Sequence, residues 1–180
     1  AGPAFIRDLD ALRDPVVARL APLDASAATG RLWRFMAAAP QSYRRYRERN
    51  GELEAVFEHA ADDLGELLAP MAVGPTSATL VEALTSNPSG WKVWLPALLR
   101  RTSKALAEDA LQVMSERRGA VPGWITLVRQ LADAAENVDA YAATYEVAAT
   151  AAPHVAVELA RRYLAAGRVE EAGAVLARSA

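Results

Sequence analysis

About every 12 to 20 residues the chain is interrupted by Pro, Gly or Asn, and between the interruptions apolar residues recur at three- and four-residue spacing. That period is the signature of helices with one buried face, and short gaps between such helices stack them as antiparallel pairs. No segment alternates apolar and polar residues over six positions, so nothing reads as a half-buried strand. The spacing predicts an all-α fold of roughly nine to eleven helices, packed as an antiparallel helix-pair stack, a tetratricopeptide-like α-solenoid.

The helix starts are set by local chemistry. A first helix is expected over about Pro3 to Arg13, and Asp14-Pro15 reads as cap and first turn of a second through Leu20. Asp24 caps a third, which ends before Pro40 and contains Gly30. Glu52 to Leu68 forms the next, with Leu53, Val56, Phe57, Ala60, Leu64, Leu67 and Leu68 on one face and acids on the other. Residues 70–75 are the clearest internal break, after which Thr76 or Ser77 caps a helix that Asn87-Pro88 ends. Further helices are expected from Trp91 with Pro96 inside, over Ala105 to Arg117, Trp124 to Glu136, Ala140 to Thr150 and His154 to Ala166. Gly167 stops the last of these, and Arg168 starts the final one. The whole chain, 1–180, reads as one helical-repeat domain with a bundle-like half over 1–70 and a repeat-like half over 76–180.

Composition sharpens this reading. Ala fills 41 of 180 positions and is the best helix former, while its small side chain lets helices approach closely. A net charge of −2 supplies no global field toward nucleic acid or anionic lipid. The absence of Cys removes disulfides, thiolate nucleophiles and Cys-ligated zinc. The first residues lack the basic start and apolar run of a signal peptide, and no run is long and apolar enough for a membrane span. Eighteen of the 20 basic residues are Arg, a bias that goes with GC-rich bacterial coding. A cytoplasmic protein is expected, and a first residue that is Ala rather than Met is read as an excised or processed chain.

Residues Leu159 to Ala172 resemble the middle of a tetratricopeptide unit: a helix ends at Gly167, and the next opens with Arg168, Glu170 and Glu171 before a small Ala172. Residues 126–150 give a weaker echo. The wider order is Gly30-Arg31-Leu32-Trp33-Arg34-Phe35-Met36, then Asn50-Gly51, Val56-Phe57 with Asp62-Asp63-Leu64-Gly65, Trp91-Lys92-Val93-Trp94, and Leu131 to Tyr141. Taken together it resembles a bacterial family of uncharacterised all-helical proteins, some of which occur alongside SWIM-type zinc-finger domains. That resemblance implies no activity and no catalytic residues.

Few positions carry chemistry. His59 with Asp62 and Asp63 could face one way on a helix as metal ligands, but no second His follows at helical spacing, and a solvated acidic face is the plainer reading. His154 follows Pro153 at a helix start, where capping suffices. The basic aromatic segment Tyr43, Arg44, Arg45, Tyr46, Arg47, Arg49 could hold phosphates and stack rings. The competing expectation is that its arginines pair with Glu52, Glu54 and Glu58. Arg100-Arg101 and Arg117-Arg118 sit at helix ends, where the dipole accounts for them. Trp33, Trp91, Trp94 and Trp124 read as core anchors, with Trp91 and Trp94 sharing a face and one free to line a groove. No nucleophile motif, phosphate loop or dinucleotide fingerprint occurs.

These observations favour a non-enzymatic protein-interaction or scaffold module, without cofactor, catalytic residue or metal, that presents a helical surface to a protein or peptide. On composition, Tyr141, Tyr145, Arg161, Arg162 and Tyr163 are the residues expected to line it. The alternatives are a nucleic-acid accessory module using Tyr43 to Arg49, or a structural spacer for an adjoining domain.

Overall fold

The computed structural model describes residues 2–46, 51–117 and 119–179. Its elements are helical throughout: α1 (Gly2–Pro15), α2 (Ala25–Ala37), α3 (Ala39–Arg45), α4 (Glu52–Leu68), α5 (Val73–Ser86), α6 (Pro88–Leu99), α7 (Lys104–Glu116), α8 (Trp124–Ala134), α9 (Val138–Ala142), α10 (Pro153–Ala165) and α11 (Val169–Arg178). A π-turn spans Val16–Leu20 and a 3-10 turn Val147–Ala151. Among the described residues there is no β-strand.

The expected cap Asp24 forms, accepting from the Ala27 N–H at 2.9 Å. Asn87 and Asn137 add caps that were not expected: Asn87 accepts from the Gly90 N–H at 3.2 Å and Asn137 from the Ala140 N–H at 2.9 Å. Ser103 caps α7 through the Leu106 N–H. Three boundaries differ from expectation. Asp14-Pro15 does not break the chain, because α1 runs through Pro15 directly into the π-turn. Thr76 and Ser77 lie buried inside α5, with the Thr76 hydroxyl donating to the Ala72 carbonyl, so they are not caps. The helix expected over Ala140 to Thr150 ends at Ala142: the Thr144 hydroxyl folds back onto the Tyr141 carbonyl, and Tyr145 turns to Glu158.

Packing alternates along the chain. Helix α2 lies against α4, α4 against α6 and α6 against α8, while α5 lies against α7, and α7 against α8. The buried side chains form one continuous cluster from Leu32 to Val175. Pro96 sits inside α6 and lacks the N–H that would bond the Lys92 carbonyl. Gln130 of α8 supplies the missing donor: its Nε2 gives a hydrogen bond to that carbonyl at 2.7 Å. The carbonyl left open by Pro96 thereby becomes a tie between helices.

The clearest regularity lies in two hairpins, α8–α9 and α10–α11, related by an offset of 31 residues. In the first, Ala135 (φ −80°, ψ −5°), Glu136 (φ 53°) and Asn137 (φ −99°, ψ 85°) make the turn. In the second, Ala166 (φ −83°, ψ 3°), Gly167 (φ 74°) and Arg168 (φ −95°, ψ 70°) repeat it. The hydrogen bonds correspond as well. Asn137 N–H donates to the Ala132 carbonyl and Arg168 N–H to the Tyr163 carbonyl, both at 2.8 Å, closing the same Schellman turn.

Glu136 therefore occupies a left-handed position that Gly167 fills without strain. Glu136→Gly is expected to raise stability by roughly 0.5–1 kcal/mol, since relief of the left-handed strain outweighs loss of the exposed Lys104–Glu136 pair at 3.2 Å. A denaturation midpoint that falls would show the ion pair to be the stronger term.

Candidate functional site

An open groove of about 340 Å³ lies between α2 and the α5–α6 turn, lined by Trp33, Met36, Pro40, Ala83, Asn87 and Trp91 with Arg34 and Glu82 on its rim. Helical spacing positions the walls: Trp33 and Met36 are three residues apart on α2, and Pro40 opens α3. Trp33 is half-buried and tilts against buried Trp91 with ring centroids 5.8 Å apart. A second depression, lined by Tyr43, Glu54, Gly90, Val93 and Trp94, shares Pro40 and Asn87 with the first. Behind both, Trp94 carries its indole N–H into the core with no acceptor among the described residues. Trp91 lines the first groove beside Trp33, which was expected only in the core, and Trp94 backs the second depression while staying buried; Trp124 is a core residue.

The C-terminal tyrosines do something other than line a surface. Tyr141 is 4% exposed and donates its hydroxyl to Glu158; Tyr145 donates to the other Glu158 oxygen at 2.7 Å. The Arg162 guanidinium lies 3.6 Å over the Tyr141 ring and clamps Asp133 at 2.6 and 2.8 Å. Arg129 covers the Tyr145 ring at 3.8 Å. Tyr163 is also buried, under Arg168, which reaches Asp139 and Glu171 at 2.8 Å. Of the five residues expected to face a partner, Arg161 alone is fully exposed. Exposure cannot be read from residue type, because these rings and guanidiniums satisfy one another and lock α10 onto α8 and α9.

The electrostatics of this network follow from its hydrogen bonds. Burial and the bond to Glu158 push both tyrosine hydroxyls above their ordinary pKa. The Tyr141 hydroxyl, helped by Tyr145 and the two arginines, holds the Glu158 carboxyl below the usual carboxylate range. Raised tyrosines stabilise the fold fully below the free tyrosine pKa of about 10, and that stability is lost as pH rises through their folded values. Tyr141 and Tyr145 are therefore expected to ionise above the ordinary tyrosine range in an absorbance titration at high pH. Five tyrosines titrating together near the free value would contradict the network.

The remaining sites expected from sequence are placed as follows. Arg44 and Arg45 on α3 are exposed and make no ion pair among the described residues, so they do not pair with Glu52, Glu54 or Glu58 there. Tyr46 tilts against Phe5 at 5.8 Å, and Tyr43 stacks toward Phe57 and Trp94 at 6.0 and 6.4 Å. Arg47, Arg49 and Asn50 lie outside the described residues, as does Arg118. Asp63 is taken by Arg13, and Asp62 by Arg101 at 2.9 Å and Arg100 at 3.7 Å. Arg100 and Arg101 thus serve an ion-pair cluster, a role the helix dipole had hidden. His59 is left exposed beside occupied carboxylates, and among the described residues no three ligand-type side chains gather for a metal.

The geometry defines an all-α stack of packed helices with shallow grooves. Neither His59 nor His154 makes a hydrogen bond or ion pair among the described residues. No helix among them is long and apolar enough to cross a membrane. The chain belongs to the family of unknown function DUF6880, whose model matches residues 2–124 and 120–180. No curated protein matches it, and no solved structure does.

Proposed function

We propose that the chain is a non-enzymatic protein-interaction module, a helical-repeat solenoid that accepts a peptide in the Trp33–Trp91 groove. The observation that carries this reading is the groove itself. It pairs a half-buried tryptophan and apolar walls with five polar residues, Arg34, Thr79, Glu82, Ser86 and Asn87. Aromatic anchors in desolvated pockets dominate peptide affinity, and a few polar groups set orientation. The alternating α2–α4–α6–α8 and α5–α7 rows support the solenoid reading, since stacked helix pairs keep such a groove rigid before a ligand arrives.

The reading is tested by peptide display on the purified chain, followed by affinity measurement against Trp33→Ala and the rim variant Glu82→Arg. Selected peptides are expected to lose about tenfold or more in affinity on Trp33→Ala, with the helical content kept. Failure to enrich any sequence, or enriched peptides that bind both variants unchanged, removes the proposal.

One observation favours a second reading. From Ala25 to Tyr46 the chain carries Arg31, Arg34, Arg44 and Arg45 and no acid, all four exposed. A nucleic-acid accessory role through this strip predicts binding that weakens steeply with salt.

A further inference from the structure

The α10–α11 hairpin repeats α8–α9, yet its outer face is bare. In the first hairpin Val138 is 8% exposed and lines a crevice with Arg162, Ala165 and Ala166 of the following helix region. Its counterpart 31 residues on, Val169, is 66% exposed. Asp133, which receives the Arg162 guanidinium, corresponds to Leu164, 53% exposed; Leu176, 41% exposed, extends the bare face along the part of α11 that α9 lacks. Two of the positions that seat α10 on α8–α9, Val138 and Asp133, thus recur on α10–α11 as exposed apolar side chains, while Arg129 and Tyr141 recur as buried Ala160 and Ala172. Asp139, which receives Arg168, recurs as exposed Glu170.

We propose that this outer face is a docking surface for an amphipathic helix of a partner polypeptide, seated on α10–α11 as α10 is seated on α8–α9. The substitutions along the repeat specify the partner's chemistry. Leu164 in place of Asp133 calls for an aliphatic side chain where Arg162 stands, because a guanidinium there would lose its hydration with no carboxylate to receive it. Glu170 in place of Asp139 calls for a Lys or Arg one turn or two further on, in the role of Arg168. The partner helix is therefore apolar along one stripe, with a basic residue at its C-terminal end. The surface lies on different helices from the Trp33 groove and does not depend on it.

The test uses the whole chain and a fluorescently labelled peptide with the sequence Pro153–Arg168 carrying Arg162→Leu. Fluorescence anisotropy is expected to show saturable binding, weakened about tenfold or more by Leu164→Glu or by Val169→Glu and left unchanged by Trp33→Ala. The peptide retaining Arg162 is expected to bind more weakly than the Leu form. Absence of saturable binding up to millimolar peptide, or binding indifferent to both outer-face variants, overturns the proposal. A dimer of the free chain in sedimentation that Leu164→Glu dissociates would also overturn it, by assigning the face to a second copy.

Discussion

Gly65→Ala is expected to destabilise the protein by about 3 kcal/mol, although the same exchange in an exposed helix stabilises by roughly 0.5–1 kcal/mol. The sign reverses because α4 crosses α6 at Gly65. A Cβ there would stand 2.9 Å from the Arg101 Cβ and 3.1 Å from the Leu98 carbonyl carbon, and nearer still to the Leu98 oxygen. The obstacle is helix backbone, which has no alternative rotamer. Relief requires α4 and α6 to separate, and the same contact holds Phe57, Leu64, Leu68, Trp94, Leu95 and Leu98, all buried. Chemical denaturation checks this: the midpoint should fall with an unchanged slope. A midpoint at or above that of the unaltered chain would mean that the crossing is looser than described.

Much of the helical order was legible because its signals are local. Asp24, Asn87, Asn137 and Gly167 announce helix ends through their own side chain or lack of one, and each does so in the structure. The failures have a common physical cause. Thr76 and Ser77 look like caps, yet both are buried inside α5, where the Thr76 hydroxyl bonds the Ala72 carbonyl and the Ser77 hydroxyl has no partner among the described residues. Arg162, Tyr141 and Tyr145 look like surface residues because type alone predicts exposure. Their partners Asp133 and Glu158 come from other helices, and nothing near them in the chain marks the pairing. Asp62 and Asp63 resembled a ligand pair because Arg13, Arg100 and Arg101 arrive from elements far along the chain. The 31-residue repeat was audible at Gly167 and faint at Glu136, since a non-glycine at a left-handed position hides the turn it makes. The groove at Trp33 was half legible: a tryptophan beside a groove was expected, but which one depends on how α2 meets α6.

Phe57→Ala is expected to cost about 3–5 kcal/mol and to loosen the aromatic packing that joins α2, α3 and α6. Phe57 is fully buried, with ring centroids 5.2 Å from Phe35, 5.3 Å from Trp94 and 6.0 Å from Tyr43. Those rings come from α2, α3 and α6, so the phenyl group is a surface against which all three helices pack. Deleting it removes the transfer free energy of the ring and leaves a cavity that fixed helices cannot collapse to fill. The aromatic geometry adds about 0.5–1.5 kcal/mol per well-placed pair beyond area, and those terms vanish together. Phe57→Leu keeps most of the volume while discarding the ring contacts, so the difference between the two variants separates filling from aromatic packing. The readouts are the denaturation midpoint and the near-ultraviolet circular dichroism of Trp94 and its neighbours. A loss below about 1 kcal/mol for Phe57→Ala would place Phe57 outside the core, because buried Phe truncations in packed cores fall well above that value. Phe57 reaches the Trp33 groove only through Trp94, whose ring lies 5.9 Å from that of Trp91, so the groove wall would then lack the packed support the peptide-binding reading relies on.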